Sequence, residues 1–197
     1  GVSRDVDGKV DKSEEIDEDL RYQWLPSEVN VGNSSTKITS YVNNLHNESY
    51  IPLFEELLWN FIEPFERVIK KPLKGRDIQV IIKVGSTILN GSNYDGGSWH
   101  IEGMPYENII ASGLYYLEVD NISPSFLEFR KPTILNWENC DYEQCDSGYT
   151  KKHYGITSHY DGIMNRYLGL VKADKGAYVV FPNSLQHRVK EFEQIDK

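Results

Sequence analysis

The sequence predicts a mainly β chain of α+β composition, folded as a jelly roll or distorted barrel with a helix packed on one face. Three observations predict it. At least seven segments carry the two-residue alternation of strands, one of them the short run around His100. The strong helical pattern occurs once, early, and no helices alternate with the strands. Aromatic residues reach 12%, with thirteen Tyr and four Trp, which suits a β-rich interior or an aromatic-lined cleft.

Taken in order, residues 1–20 are polar and aperiodic and read as a flexible acidic arm. Residues 21–50 combine a Trp24-Leu25-Pro26 entry, an "NVGNSS" turn and "KITSYVNNL", the pattern of short strands and loops. In "YIPLFEELLWNFIEPFERVIKK", Phe54, Leu58, Phe61, Phe65 and Ile69 recur at three- and four-residue spacing, so an amphipathic helix is expected. Pro52 suits its first turn, Ser49 is the expected N-cap, and Pro64 is expected to kink or split it near Glu63. From residue 77 the period changes to two. Strands are expected at 77–89, 108–121, 125–130, 167–174, 176–182 and 187–193. The Tyr-rich 131–166 stretch reads as an insertion or lid. With 197 residues the chain can bury one sizeable core, so 21–197 is read as one domain.

Charge and composition exclude some roles. The net charge of -9 disfavours nucleic acid, which needs a basic surface. Residues 1–20 hold eight acids against three bases, a balance of -5, leaving -4 for the other 177. A local basic groove therefore stays open. No run approaches the ~18 apolar residues of a membrane span, and no secretory apolar region opens the chain. Cys140 and Cys145, in "CDYEQC", read as free thiols of a reducing compartment, so an intracellular, cytoplasmic or nuclear location is expected.

The chemistry sits in "GGSWHIEGMP". On a strand, residues two apart share a face, so His100 and Glu102 can offer one nitrogen and one carboxylate to a single point. A third ligand is expected from a later neighbouring strand, and His187 in "FPNSLQHRV" is the candidate. Two imidazoles and a carboxylate on one side of a metal form the facial set of non-haem Fe(II) oxygenases, which leaves positions open for other ligands. The alternative is a hydrogen-bonded pair on a strand. His46, His153 and His159 read as loop residues, the latter two within reach of a cleft.

The stretches "YQWLPSEVNV", "KITSYVNNLH", "GGSWHIEGMPYENIIASGLYYLEVDNI", "LEFR" and "FPNSLQHRVKEFE" resemble the DUF4246 family from about Tyr22 to Phe192. That family resembles the Fe(II)/2-oxoglutarate-dependent dioxygenases, whose fold is a double-stranded β-helix, cupin-like, with flanking helices. The resemblance implies His100, Glu102 and His187 as iron ligands and 2-oxoglutarate as cosubstrate. It implies a tyrosine assisting at the cosubstrate's distal carboxylate, with Tyr116 as first choice and Tyr94 as second. Core packing is the other reading of both. The superfamily's cation commonly lies about ten residues beyond the distal histidine on a late strand. Here Lys197 ends the sequence at that point, so the last strand is expected to be missing from this chain. Arg130 is the alternative cation, against a surface charge at a strand end. The implied substrate is a small molecule or a protein side chain. Two other functions stay open: a cupin-like metal enzyme that does not use 2-oxoglutarate, and a non-catalytic β-sandwich that binds a partner.

Overall fold

The computed structural model describes residues 25–133 and 165–195. The acidic arm at 1–20, most of the 131–166 insertion, both cysteines, His153 and His159 lie outside the described residues. What is described is mainly β: eight strands in three small antiparallel sheets, with one α-helix. These strands do not close a barrel among the described residues. Two compact units result, one from residues 25–62 and 72–85, the other from 63–71 and 86–195.

In the first unit, β1 (Ser27–Val31) pairs with β2 (Thr36–Ile38) on one side and β3 (Arg76–Val80) on the other. Ser27, Val29 and Val31 are buried while Glu28 and Asn30 face out, the alternation of a half-buried strand. The helix α1 (Ile51–Ile69) lays Ile51, Phe54 and Leu58 against Val29, Ile38 and Val42. Those three helical residues lie three and four apart, so a single stripe of α1 meets the sheet. Glu55, between them, accepts from the Ile38 backbone N–H at 2.9 Å and from Lys37 Nζ at 3.3 Å. A strand-edge donor is thereby satisfied by a helix side chain.

Two expectations about the helix change. Asn47, not Ser49, caps the chain's entry: a short 3₁₀ turn at Glu48–Tyr50 precedes α1, and the Asn47 side chain accepts from the Ser49 N–H. The inserted turn moves the cap two residues upstream. At Pro64 the helix continues instead of splitting. Proline removes one intrahelical donor, while Glu63 and Arg67 pair one turn apart beside it.

The second unit holds the remaining strands. β4 (Ala111–Tyr115) pairs with β7 (Tyr178–Pro182), and β5 (Phe126–Pro132) lies between β6 (Asn165–Lys172) and β8 (Gln186–Val189). Leu127 and Phe129 of β5 meet Phe181 of β7, with Leu114, Val179, Leu185 and Val189 packed around them. The Phe129 and Phe181 rings meet edge to face at 5.0 Å. This contact joins the two sheets of the unit through one apolar layer.

Four of the six expected strands are shorter than the sequence alternation suggests, while 125–130 and 167–174 form strands at least as long, at Phe126–Pro132 and Asn165–Lys172. For the two longest expected runs the partners explain why. The expected 77–89 strand stops at Val80, which pairs with Ser27 at the start of β1. The expected 108–121 strand is paired over Ala111–Tyr115, matching the five residues of β7, and Tyr116 adds one more bond, to the Ala177 carbonyl at 3.0 Å. Alternation marks which residues can form a strand, whereas the ladder sets how many do.

Leu127 is 1% exposed at the centre of the second unit's core. Truncation to alanine is therefore expected to destabilise the fold by about 2–5 kcal/mol. Leu117→Ala, at a position 56% exposed, should stay within about 0.5 kcal/mol of the parent. Urea titration of the two variants measures both.

Candidate metal centre

The segment 94–100 contains no regular strand but runs antiparallel beside β8 and its continuation. Tyr94 exchanges backbone hydrogen bonds with Phe192, Gly97 N–H donates to the Val189 carbonyl, and His100 pairs with His187. Gly96 permits this approach: its φ is +92°, and a Cβ there would meet the backbone N of Glu191 at 3.3 Å. Gly103 closes the segment at φ +67°, where a Cβ would collide with the Glu107 carboxylate.

His100 and His187 are a mutually hydrogen-bonded pair, with His100 N–H donating to the His187 carbonyl at 3.1 Å and the reverse bond at 2.9 Å. Directly opposed residues point to one face, and the two imidazole centroids lie 4.4 Å apart. Glu102, two residues on, brings Oε1 to 3.1 Å from His187 Nε2 and 3.8 Å from His100 Nε2. One ligand atom from each of the three residues falls within 4.8 Å of the others, and among the described residues this is the cluster able to hold a metal ion.

The donor set fits a divalent metal of borderline softness: two imidazole nitrogens and one carboxylate oxygen. His100 Nδ1 lies 2.8 Å from the Ser98 carbonyl. A carbonyl only accepts, so Nδ1–H is the donor to it, and Nε2 is the nitrogen that faces Glu102. The His187 side chain is 3% exposed and that of His100 49% exposed, so the cluster has a buried wall and an open side. Phe181, at 4.8 Å between ring centres, and Phe129, at 6.3 Å, form the wall beside His187. His187 Nδ1 is buried and has no hydrogen-bond partner among the described residues.

Glu102 is held by its backbone. Its N–H donates to Asn183 Oδ1 at 3.0 Å, and Asn183 Nδ2 donates back to the Glu102 carbonyl at 2.9 Å. Ser112 Oγ, on β4, donates to the same Asn183 oxygen at 3.0 Å. Neither Asn183 nor Ser112 stands out in the sequence, where "PN" reads as a turn and Ser112 as one position of an alternating run. The one mark Asn183 carries in the sequence is its place four residues before His187.

The cosubstrate candidates are placed differently. Tyr116 continues the face of β4 that carries Ser112 and Leu114, by the two-residue alternation. Its hydroxyl is buried with no hydrogen-bond partner among the described residues, and burial raises its pKa above the usual tyrosine value. Tyr94 stacks on Phe192 at 4.9 Å, at the far end of the segment that delivers His100. Arg130 is not brought to the triad. It pairs in register with Gln186, the alternate of the Phe129–His187 pair, and so lies on the other face of the sheet. There its Nε donates to Gln186 Oε1 at 2.6 Å, and its guanidinium lies over the Trp99 ring at 4.5 Å. Desolvation, then the Arg188 charge, lower its pKa. Arg188 shares that outer face, over Trp99 at 4.8 Å and paired with the buried Glu128 at 2.7 Å. His46 is exposed in the loop before the 3₁₀ turn of the first unit.

The architecture and the cluster define a mainly β protein with a two-histidine, one-carboxylate site able to take a metal. No helix of the described residues is long and apolar enough to cross a membrane. Over residues 5–76 and 69–197 the sequence matches the family described as "Protein of unknown function (DUF4246)", and the chain belongs to that family. Neither a curated protein nor a solved structure matches it.

If the three side chains form one centre, His100→Ala should weaken Mn(II) binding by at least about tenfold, as should Glu102→Ala. His46→Ala should leave it unchanged. Isothermal titration with Mn(II) measures all three, and undiminished affinity in both site variants would remove the centre.

Proposed function

We propose that this chain is an Fe(II)- and 2-oxoglutarate-dependent dioxygenase that hydroxylates or otherwise oxidises a small molecule or a protein side chain. The observation that carries the reading is the convergence of His100, Glu102 and His187 on one point. On this reading β4–β8 and the 94–100 segment belong to a double-stranded β-helix of the cupin-like kind. His100, Glu102 and His187 would hold the metal, with the imidazole and carboxylate donors that suit a non-haem Fe(II) centre. When bound, the iron would supply the oxidation, coupled to decarboxylation of 2-oxoglutarate to succinate and CO2.

The chain's own residues do the rest. The Ser98 carbonyl orients the His100 ring, and the Asn183 carboxamide fixes the backbone from which Glu102 reaches the site. Phe129 and Phe181 keep water from the buried side of His187, while the exposed side of His100 is the approach for substrate. Tyr116 is the cosubstrate residue this reading takes forward, ahead of Tyr94 and Arg130. A buried hydroxyl with no partner among the described residues is a donor in want of an acceptor, and burial raises its pKa further above the neutral range. A carboxylate is the acceptor such a donor would serve.

The test is Fe(II)-dependent conversion of 2-oxoglutarate to succinate. Turnover should vanish in His100→Ala and Glu102→Ala; equal succinate formation by these variants and the parent would defeat the proposal. Tyr116→Phe should weaken 2-oxoglutarate binding by about tenfold or more, the value of a hydrogen bond to a charged group. It should not lower the stability of the ligand-free protein, because the hydroxyl it removes has no hydrogen-bond partner among the described residues.

A further inference from the structure

We infer that Asn183 is the positioning residue of the metal centre: its carboxamide holds the Glu102 backbone where the carboxylate meets both histidines. The inference rests on the metal-centre reading and extends it to a residue bonded to the Glu102 backbone. Glu102 lies beyond the last paired residue of its segment, since the backbone pairing with β8 ends at His100. Gly103 then turns the chain away at positive φ. Without another partner, the Glu102 N–H and C=O would have no ladder to join. Asn183 supplies one. A side-chain amide presents a donor and an acceptor side by side, as a neighbouring strand's backbone does, and here both are used reciprocally at 3.0 and 2.9 Å.

The carboxamide is itself fixed. Asn183 is buried, its N–H donates to the Ile110 carbonyl at 3.0 Å, and its oxygen accepts a second bond from Ser112. The amide orientation follows from chemistry: the Glu102 N–H and carbonyl have opposite needs that one placement of Oδ1 and Nδ2 meets. Asn183 also opens the short connection from β7 to β8, where the Leu185 N–H donates to the Pro182 carbonyl at 3.0 Å. His187 follows four residues later. The carboxylate ligand and the buried histidine ligand thus share one anchor, and the Ser112 bond ties that anchor to β4. Ligand positions are set before a metal arrives, which lowers the reorganisation that binding requires.

Mn(II) titration of the 197-residue chain, followed by the electron paramagnetic resonance of free Mn(II), tests the inference. Asn183→Ala should weaken binding by about 10–100-fold, the range of outer-shell partners. Asn183→Asp should fall in the same direction, because it keeps the acceptor for the Glu102 N–H but turns a second oxygen toward the Glu102 carbonyl. Leu127→Ala is the control for general destabilisation; it should lose at least as much thermal stability yet bind Mn(II) within about threefold of the parent. In the metal-free protein, amide hydrogen exchange should accelerate at Glu102 in Asn183→Ala while the His187 amide stays protected. Parent-like Mn(II) affinity in Asn183→Ala, or an equal loss in Leu127→Ala, would overturn the positioning role alone. Absence of Mn(II) binding by the parent would overturn the metal-centre reading and this inference with it.

Discussion

The antiparallel bridge between His100 and His187 is the interaction on which the rest of the site depends. Its two backbone hydrogen bonds join residues far apart in the chain and oblige their side chains to share a face. Everything else follows from that placement. Glu102 reaches the same point because it lies two residues beyond His100, and the ring of His187 turns toward Phe181 because Phe181 lines the apolar layer between the sheets. Backbone geometry brings three polar groups together, with His187 Nε2 at hydrogen-bond distance, 3.1 Å, from Glu102 Oε1. A bare carboxylate beside two imidazoles leaves donor atoms crowded and partly desolvated, an arrangement a cation relieves.

The surroundings divide the site's two histidines by task. His187 is buried among aromatic rings, where its position is held by packing and its environment is dry. His100 is open to solvent, and its ring is aimed by a hydrogen bond to the Ser98 carbonyl two residues earlier. A centre with one rigid wall and one accessible side is suited to chemistry in which something must enter and leave. A purely structural metal site is enclosed by its ligands instead.

Parts of this were legible in the sequence for physical reasons, and parts were not. The His100–Glu102 spacing is local, and the period of a strand alone puts the two on one face. His187 could be named because a third donor on a later strand was required and "FPNSLQHRV" offered a histidine at a strand start. Asn183 could not, since its partners lie 71 and 81 residues away and nothing in a "PN" dipeptide tells which backbone a carboxamide will meet. Arg130 shows the same limit from the other side. Its position near a strand end is readable, but the face it occupies depends on its register with β8, which pairs it with Gln186 and sets it opposite the histidines. The mainly β composition was evident from alternation, while strand lengths depended on partners the alternation does not name. The helix's entry through a 3₁₀ turn and its passage through Pro64 are likewise decided by local bonding that periodicity does not record.

The outer face of the same sheet bears on how the site keeps its register. Trp99 precedes His100, so a slip of one residue in the pairing with β8 would exchange the indole and the imidazole between faces. On the outer face Trp99 meets the guanidiniums of Arg130 and Arg188, and Arg188 is tied to Glu128, which also accepts from the Tyr167 hydroxyl at 3.1 Å. A cation over an aromatic face is a modest attraction singly, but here two converge on one ring, and their strands are β5 and β8. The network therefore favours the one register in which Trp99 faces outward, and in that register His100 must face inward. Arg130 contributes to the site from behind the sheet by helping to specify which side His100 and His187 occupy.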